Sequence, residues 1–384
     1  MLWVRPTHLV EGGAPTAQHI AVVLHDLSTG GSERVAVRLA NAWAAAGRHV
    51  TLFCGAEDGP LAPRIASAVR VVTVAPRTAS KRRRRHNFGR ALAGMVAGAD
   101  PDIVVGPGNY HIPILSAMLD EIGPDRPAVV CKLSNPLFRT DRSRVRQFAF
   151  SAAMRRRTRH FDALVAMSPV FAAEATLLTG RRTIACIGEP SLDRLPPMIF
   201  PPRPGTGTVL CIGRLVRQKN FALALDAFAR SRHARRLVIL GSGEEYAALA
   251  ARADALGIAD RVVFAGYVTD VGPWLAQADA LLCSSLYEGY PAAMVEALAA
   301  GVPIVSTLCS IALPEILVDE TFGTVADMRA DHVAAALDQV LAERRSPAAA
   351  PLAELARRHQ LARSAREWLA MLDRTVAVRA EAMA

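Results

Sequence analysis

The segment Glu288-Gly-Tyr-Pro-Ala-Ala-Met-Val-Glu296 sets two carboxylates eight positions apart. The apolar run Ala280-Leu281-Leu282-Cys283 precedes it, and Gly301-Val302-Pro303-Ile304-Val305 follows. Pro291 suits the first turn of a helix, where its φ is already set and no N–H is missed. Glu288 is then a loop residue. Glu296 stands about one and a half turns into the helix, on the same side as Ala292. One loop carboxylate, one helix carboxylate and the free N–H groups of a helix start can therefore face a single cleft. Carboxylates accept from hydroxyls, and a helix start attracts phosphate. Phosphate at one end with hydroxyls around it describes a nucleotide-sugar. Taken alone, the pair would read better as a surface loop acid plus an exposed helix glutamate, so its surroundings decide.

A second group lies upstream in Gly213-Arg214-Leu215-Val216-Arg217-Gln218-Lys219-Asn220, after the strand-like Thr208-Val209-Leu210-Cys211-Ile212 and before a helical pattern from Phe221 to Arg230. An Arg and a Lys five positions apart in such a loop can both reach a diphosphate, the Arg as a bidentate fork and the Lys as a mobile point charge. Neutralising a leaving diphosphate stabilises a transition state directly. Two exposed surface cations are the bland alternative. Leu240-Gly241-Ser242-Gly243-Glu244 begins like a dinucleotide fingerprint, but Tyr246 holds the third glycine position. It reads as a tight turn near the nucleotide. Gly30-Gly31-Ser32-Glu33-Arg34 would let backbone approach a phosphate or sugar closely, or is an ordinary glycine turn. Asn109 and His111 follow Ile103-Val104-Val105 and could touch the sugar or the acceptor; a lone histidine is more often a structural hydrogen-bonder. Asp100-Pro101-Asp102 imitates a metal motif but precedes a strand, on the side away from the expected cleft, and reads as a decoy. No metal site is expected, and no H-E-x-x-H or G-x-S-x-G motif occurs.

These loops need a scaffold of parallel strands and helices, and short apolar runs do alternate with helical patterns. Ile20–Leu24, His49–Phe53, Ile103–Val105, Ala128–Val130 and Ala163–Ala166 read as strands of a first half, with a helix capped by Ser32, running through Ala46 and stopped by Gly47. The stretch from Glu189 to Gly207 holds Pro190, Pro196, Pro197, Pro201, Pro202 and Pro204 and reads as a stiff linker. A second series follows, with strands at Thr208–Ile212, Leu237–Leu240, Val262–Phe264, Ala280–Leu282 and Ile304–Val305. Beyond about residue 350 the pattern is helical, with Trp368 as an anchor. Open α/β sheets bind ligand at the carboxyl ends of their strands, which is where the informative loops fall.

A chain of 384 residues suits two domains, and 51% hydrophobic with 21% charged content is globular. The six cysteines form no C-x-x-C pair and read as reduced thiols of a cytoplasmic protein. No apolar run would span a bilayer, and Met1–Pro6 lacks the apolar core of a signal peptide. The net charge of +10 is clustered, in Lys81-Arg82-Arg83-Arg84-Arg85-His86 and in eight arginines between Arg139 and His160 against the one acid Asp141. Nucleic acid is not expected, since no aromatic residue interleaves with the first block. An anionic membrane surface and a merely solvated basic face stand level.

With the loop from Gly213-Arg214 to Lys219 and the E-x7-E segment from Glu288 to Glu296, the chain resembles the retaining glycosyltransferases of family four, also called the glycosyl transferases group 1 family. The likeness covers both halves. It is strongest from Gly213 to Val305 and weaker from Ile20 to Val50. It implies an α/β GT-B fold: two Rossmann-like domains facing across a cleft, with a C-terminal helix crossing back to the first. The expected bounds are 1–190 for an acceptor-side domain, 191–207 for the linker, 208–350 for a nucleotide-sugar domain, and 351–384 for helices packing back. By this resemblance Arg214 and Lys219 bind the diphosphate in place of a metal, Glu288 contacts donor-sugar hydroxyls, and Glu296 holds the ribose hydroxyls. Gly289, Tyr290, Pro291, Ala292, Ala293 and Met294 offer backbone amides, Gly213 and Gly241 shape the donor site, and Gly31 lies over the diphosphate from the other domain. Two departures stand out: Asn220 where the family often has Gly, and Glu189-Pro190 where it often has Asn-Pro.

The expected activity is transfer of a hexose from a nucleoside-diphosphate sugar to a saccharide or lipid-linked acceptor, with retention, in cell-surface glycan synthesis. No cofactor is expected, because the nucleotide-sugar is a substrate. The expected location is cytoplasmic, peripheral on the inner face of the membrane. The rivals are a GT-B epimerase, which would need acids and a His placed for proton transfer, and a catalytically silent nucleotide-sugar-binding subunit.

Overall fold

The computed structural model describes residues 16–28, 30–74, 84–139, 142–195, 203–344 and 346–383. The chain divides into two compact units, Met1–Pro190 with Leu361–Ala384, and Ser191–Gln360.

The first unit is built on seven parallel strands: β1 (His19–Leu24), β2 (His49–Cys54), β3 (Val69–Thr73), β4 (Ile103–Gly106), β5 (Ala128–Leu133), β6 (Ala163–Ala166) and β7 (Ala185–Cys186). Their order is β3-β2-β1-β4-β5-β6-β7. Helices α1 (Gly31–Ala45), α2 (Arg84–Ala99), α3 (Ile112–Ile122), α4 (Arg144–Thr158) and α5 (Pro169–Thr179) connect them. Strands covered on both faces must be apolar at successive positions, and β1 is. Its Ile20, Val22 and Leu24 pack with Val35, Leu39 and Trp43 of α1, while Ala21 and Val23 pack with Phe88 and Leu92 of α2 and Leu115 and Met118 of α3.

The second unit repeats the plan with β8 (Thr208–Ile212), β9 (Arg236–Leu240), β10 (Val262–Gly266), β11 (Ala280–Cys283), β12 (Ile304–Thr307) and β13 (Gly323–Ala326), in the order β10-β9-β8-β11-β12-β13. Its helices are α6 (Phe221–Arg230), α7 (Tyr246–Ala255), α8 (Gly272–Gln277), α9 (Ala292–Ala299), α10 (Leu313–Ile316), α11 (Ala330–Glu343) and α12 (Ala349–Arg358). In each sheet the connections reverse direction beside the first strand, between β1 and β4 and between β8 and β11. A reversal of this kind leaves a crevice at the carboxyl edge of a sheet, and such crevices take ligands.

The final helix, α13 (Leu361–Met383), belongs to the first unit. Trp368 is 2% exposed, with its ring 5.9 Å from that of Trp43. Asp373 accepts from Arg48 at 2.8 Å and from the Ala17 N–H at 2.9 Å. The second unit runs to Gln360, so α12 belongs to it, whereas the expected bounds grouped 351–384 as one set of terminal helices.

Two further differences have local causes. The strands β3, β7 and β13 carry little sequence signal: β3 has an exposed Arg70 inside it, β7 is two residues long, and β13 opens on Gly323. Helix α1 is capped at Gly30, not Ser32. Glu33, third in the helix, folds its carboxylate over that cap, where a Cβ on Gly30 would lie 1.9 Å from Oε2. Of the first basic block, Lys81, Arg82 and Arg83 lie outside the described residues, as do Pro196, Pro197, Pro201 and Pro202 of the linker. Arg84, Arg85 and His86 open α2 and are exposed.

Candidate functional site

At the β8/β11 switch point the loop after β8 runs from Gly213 to Asn220. Gly213 has φ of 154°, and a Cβ there would fall 2.6 Å from Cε of Lys219. The lysine side chain therefore lies directly across the glycine backbone. Gly241, with φ of 145°, stands behind it; a Cβ there would be 1.8 Å from the Gly213 carbonyl oxygen. The turn after β9 is thereby pressed onto the loop, and the Leu215 N–H donates to Ser242 O while the Glu245 N–H donates to Leu215 O. Gly241 thus acts on the loop after β8 through packing. Arg214 projects from this loop, exposed.

The loop after β11 is stitched to the same segment. Ser284 Oγ donates to Lys219 O at 2.9 Å, the Leu286 N–H to Gln218 O at 2.8 Å, and Gln218 Nε2 to Tyr287 O at 2.9 Å. Glu288 is 8% exposed and held from three sides. Lys219 Nζ lies 2.6 Å from Oε1, Ser285 Oγ donates to the same oxygen at 2.6 Å, and the Glu288 N–H donates to Cys309 O at 2.7 Å. Burial alone would lower the Lys219 pKa; the Glu288 carboxylate reverses this and raises it, so the ammonium stays charged through the physiological range.

Helix α9 begins at Ala292, one residue later than the proline suggested, with Pro291 as its N-cap at ψ 87°. Not all of 289–294 can offer an amide. Pro291 has none, and Met294, itself 0% exposed, gives its N–H to Pro291 O. Ala292 and Ala293 remain at the helix start, where amides have no partner within the helix. The carbonyl of Gly289 accepts from Ser310 Oγ at 2.6 Å. Tyr290 turns its hydroxyl to His359 Nε2 at 2.8 Å and is 6% exposed, so its side chain braces α9 against the end of α12. Glu296 is half-buried within α9.

In the first unit, Gly31 is exposed and a Cβ there would meet nothing within 4 Å, so the fold of that unit does not itself require glycine. Asn109 and His111 are both absorbed by structure. Asn109 Oδ1 accepts from the Ser134 N–H at 2.7 Å and Nδ2 donates to Asn135 O at 2.9 Å, which ties two strand-end loops together. His111 is 0% exposed, and neither ring nitrogen has a hydrogen-bond partner among the described residues. Burial pushes its imidazole down to about 4, which keeps it neutral at pH 7. The expectation that these two meet sugar or acceptor is therefore not supported by their placement. Asp102 accepts from the His19 N–H at 2.8 Å, a structural role at the foot of β1.

Residues 206–343 match the family model described as Glycosyl transferases group 1, and residues 30–186 match that of a Glycosyl transferase 4-like domain. The chain belongs to the group 1 glycosyltransferases. The lipopolysaccharide core biosynthesis glycosyltransferase LpsE of Rhizobium meliloti (strain 1021) is 35% identical over 136 residues, 35% of this chain and 39% of that protein. The Vi polysaccharide biosynthesis protein VipC/TviE of Salmonella typhi is 39% identical over 103 residues, 26% of this chain and 18% of that one. The matches thus span well under half of these curated relatives. Among solved structures, Anabaena Alr3699/HepE in complex with UDP and glucose superposes with a TM-score of 0.75 at 15% identity, over 92% of this chain and 99% of that one. The apo form of the lipopolysaccharide outer core galactosyltransferase WaaB gives 0.67 at 18% identity, over 94% and 99%. At such identities these neighbours establish the GT-B fold.

Both departures from the group 1 pattern have a physical reason. Asn220, where the family often has Gly, sits at φ 49° and ψ 44°, the left-handed region that Asn tolerates best after Gly. Glu189, in place of Asn, receives Lys132 Nζ on both carboxylate oxygens at 2.9 and 2.7 Å, and both residues are buried. Sequence reasoning missed Ser285 and Ser310, whose hydroxyls hold Glu288 and Gly289. Their signal is position: each follows a strand at the carboxyl edge beside the switch point. It also missed His25, directly after β1, whose ring lies 5.2 Å from that of Tyr110.

Proposed function

We propose that this group 1 glycosyltransferase moves a hexose from a nucleoside-diphosphate sugar to a saccharide or lipid-linked acceptor, with retention and without a metal. The observation that carries the reading is the Lys219–Glu288 pair, 2.6 Å apart at the β8/β11 switch point, with Arg214 on the same loop. A cation for the leaving diphosphate and a carboxylate for sugar hydroxyls must stand close together, because the anomeric carbon joins the two groups. Donor binding would exchange this ion pair: diphosphate oxygens take Lys219, and a sugar hydroxyl takes Glu288.

The acceptor hydroxyl would attack the anomeric carbon on the face from which the diphosphate departs. The new C–O bond forms as the bond to phosphate breaks, and the leaving phosphate oxygen receives the acceptor proton. Arg214 and Lys219 stabilise the growing negative charge, and Glu288 orients the sugar. Glu296 would hold the ribose. The HepE complex with UDP-glucose supports a nucleotide-sugar donor. The names of LpsE and VipC/TviE support a role in lipopolysaccharide or polysaccharide synthesis. Among the described residues no helix is long and apolar enough to cross a membrane. We assign the basic face of α4 to an anionic lipid surface, since Val145 and Phe148 stand 77% exposed among Arg144, Arg146, Arg155, Arg156 and Arg159.

The test is incubation with a panel of nucleotide-sugars in EDTA. One donor should release nucleoside diphosphate slowly to water and faster with an acceptor glycan, and NMR of the product should show the donor's anomeric configuration. A protein that binds no nucleotide-sugar, or that works only after manganese or magnesium is added back, would sink this reading.

A further inference from the structure

Cys283 closes β11, and Cys309 lies two residues beyond β12, the strand beside it. Their Sγ atoms are 3.8 Å apart although 26 positions separate them in sequence. Both residues belong to the supports of Glu288, Cys283 through its sulfur and Cys309 through its backbone carbonyl. Cys283 Sγ lies 3.7 Å from Ser285 Oγ, which donates to Glu288 Oε1, and the Cys309 carbonyl accepts the Glu288 N–H at 2.7 Å.

We propose that Cys283 and Cys309 are an oxidation site that takes hydroperoxides, and that the disulfide they form disables the donor pocket by displacing Glu288. The second half of this statement rests on the role given above to Glu288. Bridging would draw the sulfurs from 3.8 Å to about 2.05 Å, so one or both strand ends must shift. Whichever moves carries either the Ser285 hydroxyl or the Cys309 carbonyl with it.

The chemistry proceeds in two displacements. The Cys283 thiolate attacks the peroxide, an S–O bond forms, the O–O bond breaks, and the departing oxyanion takes a proton to leave as water or an alcohol. Cys309 sulfur then attacks the resulting sulfenic acid, an S–S bond forms, and the S–OH bond breaks. The hydroxide leaves as water with the Cys309 proton. Two thiols lose two electrons together, and the peroxide gains them.

The remaining cysteines set a contrast. Cys54, Cys131 and Cys211 are buried, and burial pushes each thiol up, which leaves them inert packing groups. Cys283 keeps part of its surface exposed, and the hydrogen bond from Cys309, with Lys219 nearby, draws its thiol below the usual range while the partner is held protonated. The two thiols thus have distinct parts: Cys283 attacks first and Cys309, 4% exposed, resolves.

The experiment uses the full chain carrying Cys186→Ser, which removes the exposed thiol able to link two molecules. Protein treated with stoichiometric hydrogen peroxide, alkylated and digested should give one linked peptide joining Cys283 to Cys309, which dithiothreitol reverses. Cys309→Ser should give instead a sulfenic acid on Cys283 that dimedone traps. Donor turnover should fall at least roughly tenfold on oxidation and recover on reduction, since a positioning shift of about 1 Å can cost up to a hundredfold. Cys283→Ala should keep its turnover under the same treatment. Absence of the 283–309 link under these conditions overturns the site, whether or not the protein transfers sugar. A link that forms while turnover is unchanged overturns the coupling to Glu288. If no donor is ever turned over, the peptide map still decides the site, and only the functional reading fails.

Discussion

A methyl group at position 213 would occupy the space through which Lys219 passes. The Cβ would also need a φ of 154°, which L residues avoid, so Gly213→Ala strains the backbone and displaces the lysine at once. We expect kcat/KM to fall about 10²–10³-fold, similar to Lys219→Ala, because either change removes one fixed charge from the leaving group. Steady-state kinetics with circular dichroism to verify folding would check this; a fully active Gly213→Ala would show that Lys219 has no need of its present path. Glu288→Ala should chiefly lower kcat, and Glu296→Ala should chiefly weaken nucleotide affinity, measured by calorimetry with the nucleoside diphosphate. The reverse pattern would exchange the two roles. These residues were legible because each sits on a short loop between an apolar run and a helical pattern, where spacing alone fixes the neighbourhood. Asn220 was legible only as an oddity, since its left-handed φ of 49° is a property of the folded turn. Asn220→Gly should be near neutral, and a β-branched residue there should not be.

At the scale of elements, the sequence conveyed the alternation of strands and helices but not the thinnest strands. Phe221–Arg230 is a helix with the expected bounds, because its apolar spacing is complete between Asn220 and Ser231. By contrast β3, β7 and β13 take their identity from hydrogen bonds to a neighbouring strand, which pattern cannot supply. The same reason hid the meeting of Cys283 with Cys309 and of Tyr290 with His359, since pairs distant in sequence depend on register. Helix α4 shows the opposite case, a charge pattern plain in sequence whose apolar component emerges only with exposure. Val145 and Phe148 are 77% exposed, and single exposed apolar residues are ordinary; two of them on a helix this rich in arginine are what a peripheral lipid contact would use. Each basic residue near an anionic surface contributes roughly 1 kcal/mol, screened beyond about 8–10 Å. Phe148→Ser with Val145→Ser should therefore weaken binding to phosphatidylglycerol vesicles in a sedimentation assay, and Arg144→Ser with Arg146→Ser should weaken it further at low salt. Turnover on a soluble acceptor should stay unchanged. Vesicle binding that ignores all four substitutions would leave α4 an ordinary solvated helix.

At the scale of the molecule, the first unit is closed by both ends of the described chain. Trp368 of α13 fills the core against Trp43, Arg48 meets Asp373 at 2.8 Å, and Arg379 meets Asp162 at 3.2 Å. The sequence suggested the anchor through a lone tryptophan in a helical tail, but not its partner, because nothing local links position 368 to position 43. Each unit has its own hydrophobic core, so each should melt as its own cooperative transition. Trp368→Ala removes a large side chain from a packed site, where such truncations cost about 3–5 kcal/mol. Each kcal/mol moves the midpoint of a unit of this size by roughly 2–4 °C. Calorimetry should accordingly show the transition of the first unit falling by roughly 6–20 °C, while that of the second unit, with its nucleotide affinity, stays in place. Lys132→Met should act on the same transition, since it removes the ammonium that meets both oxygens of the buried Glu189 carboxylate, and removing one partner of such a pair costs about 3–5 kcal/mol. The double change Lys132→Met with Glu189→Leu should recover most of that loss, because no buried charge is left unpaired. Equal shifts of both transitions in these variants would mean that the chain unfolds as one body and that α13 stabilises more than the unit it packs in.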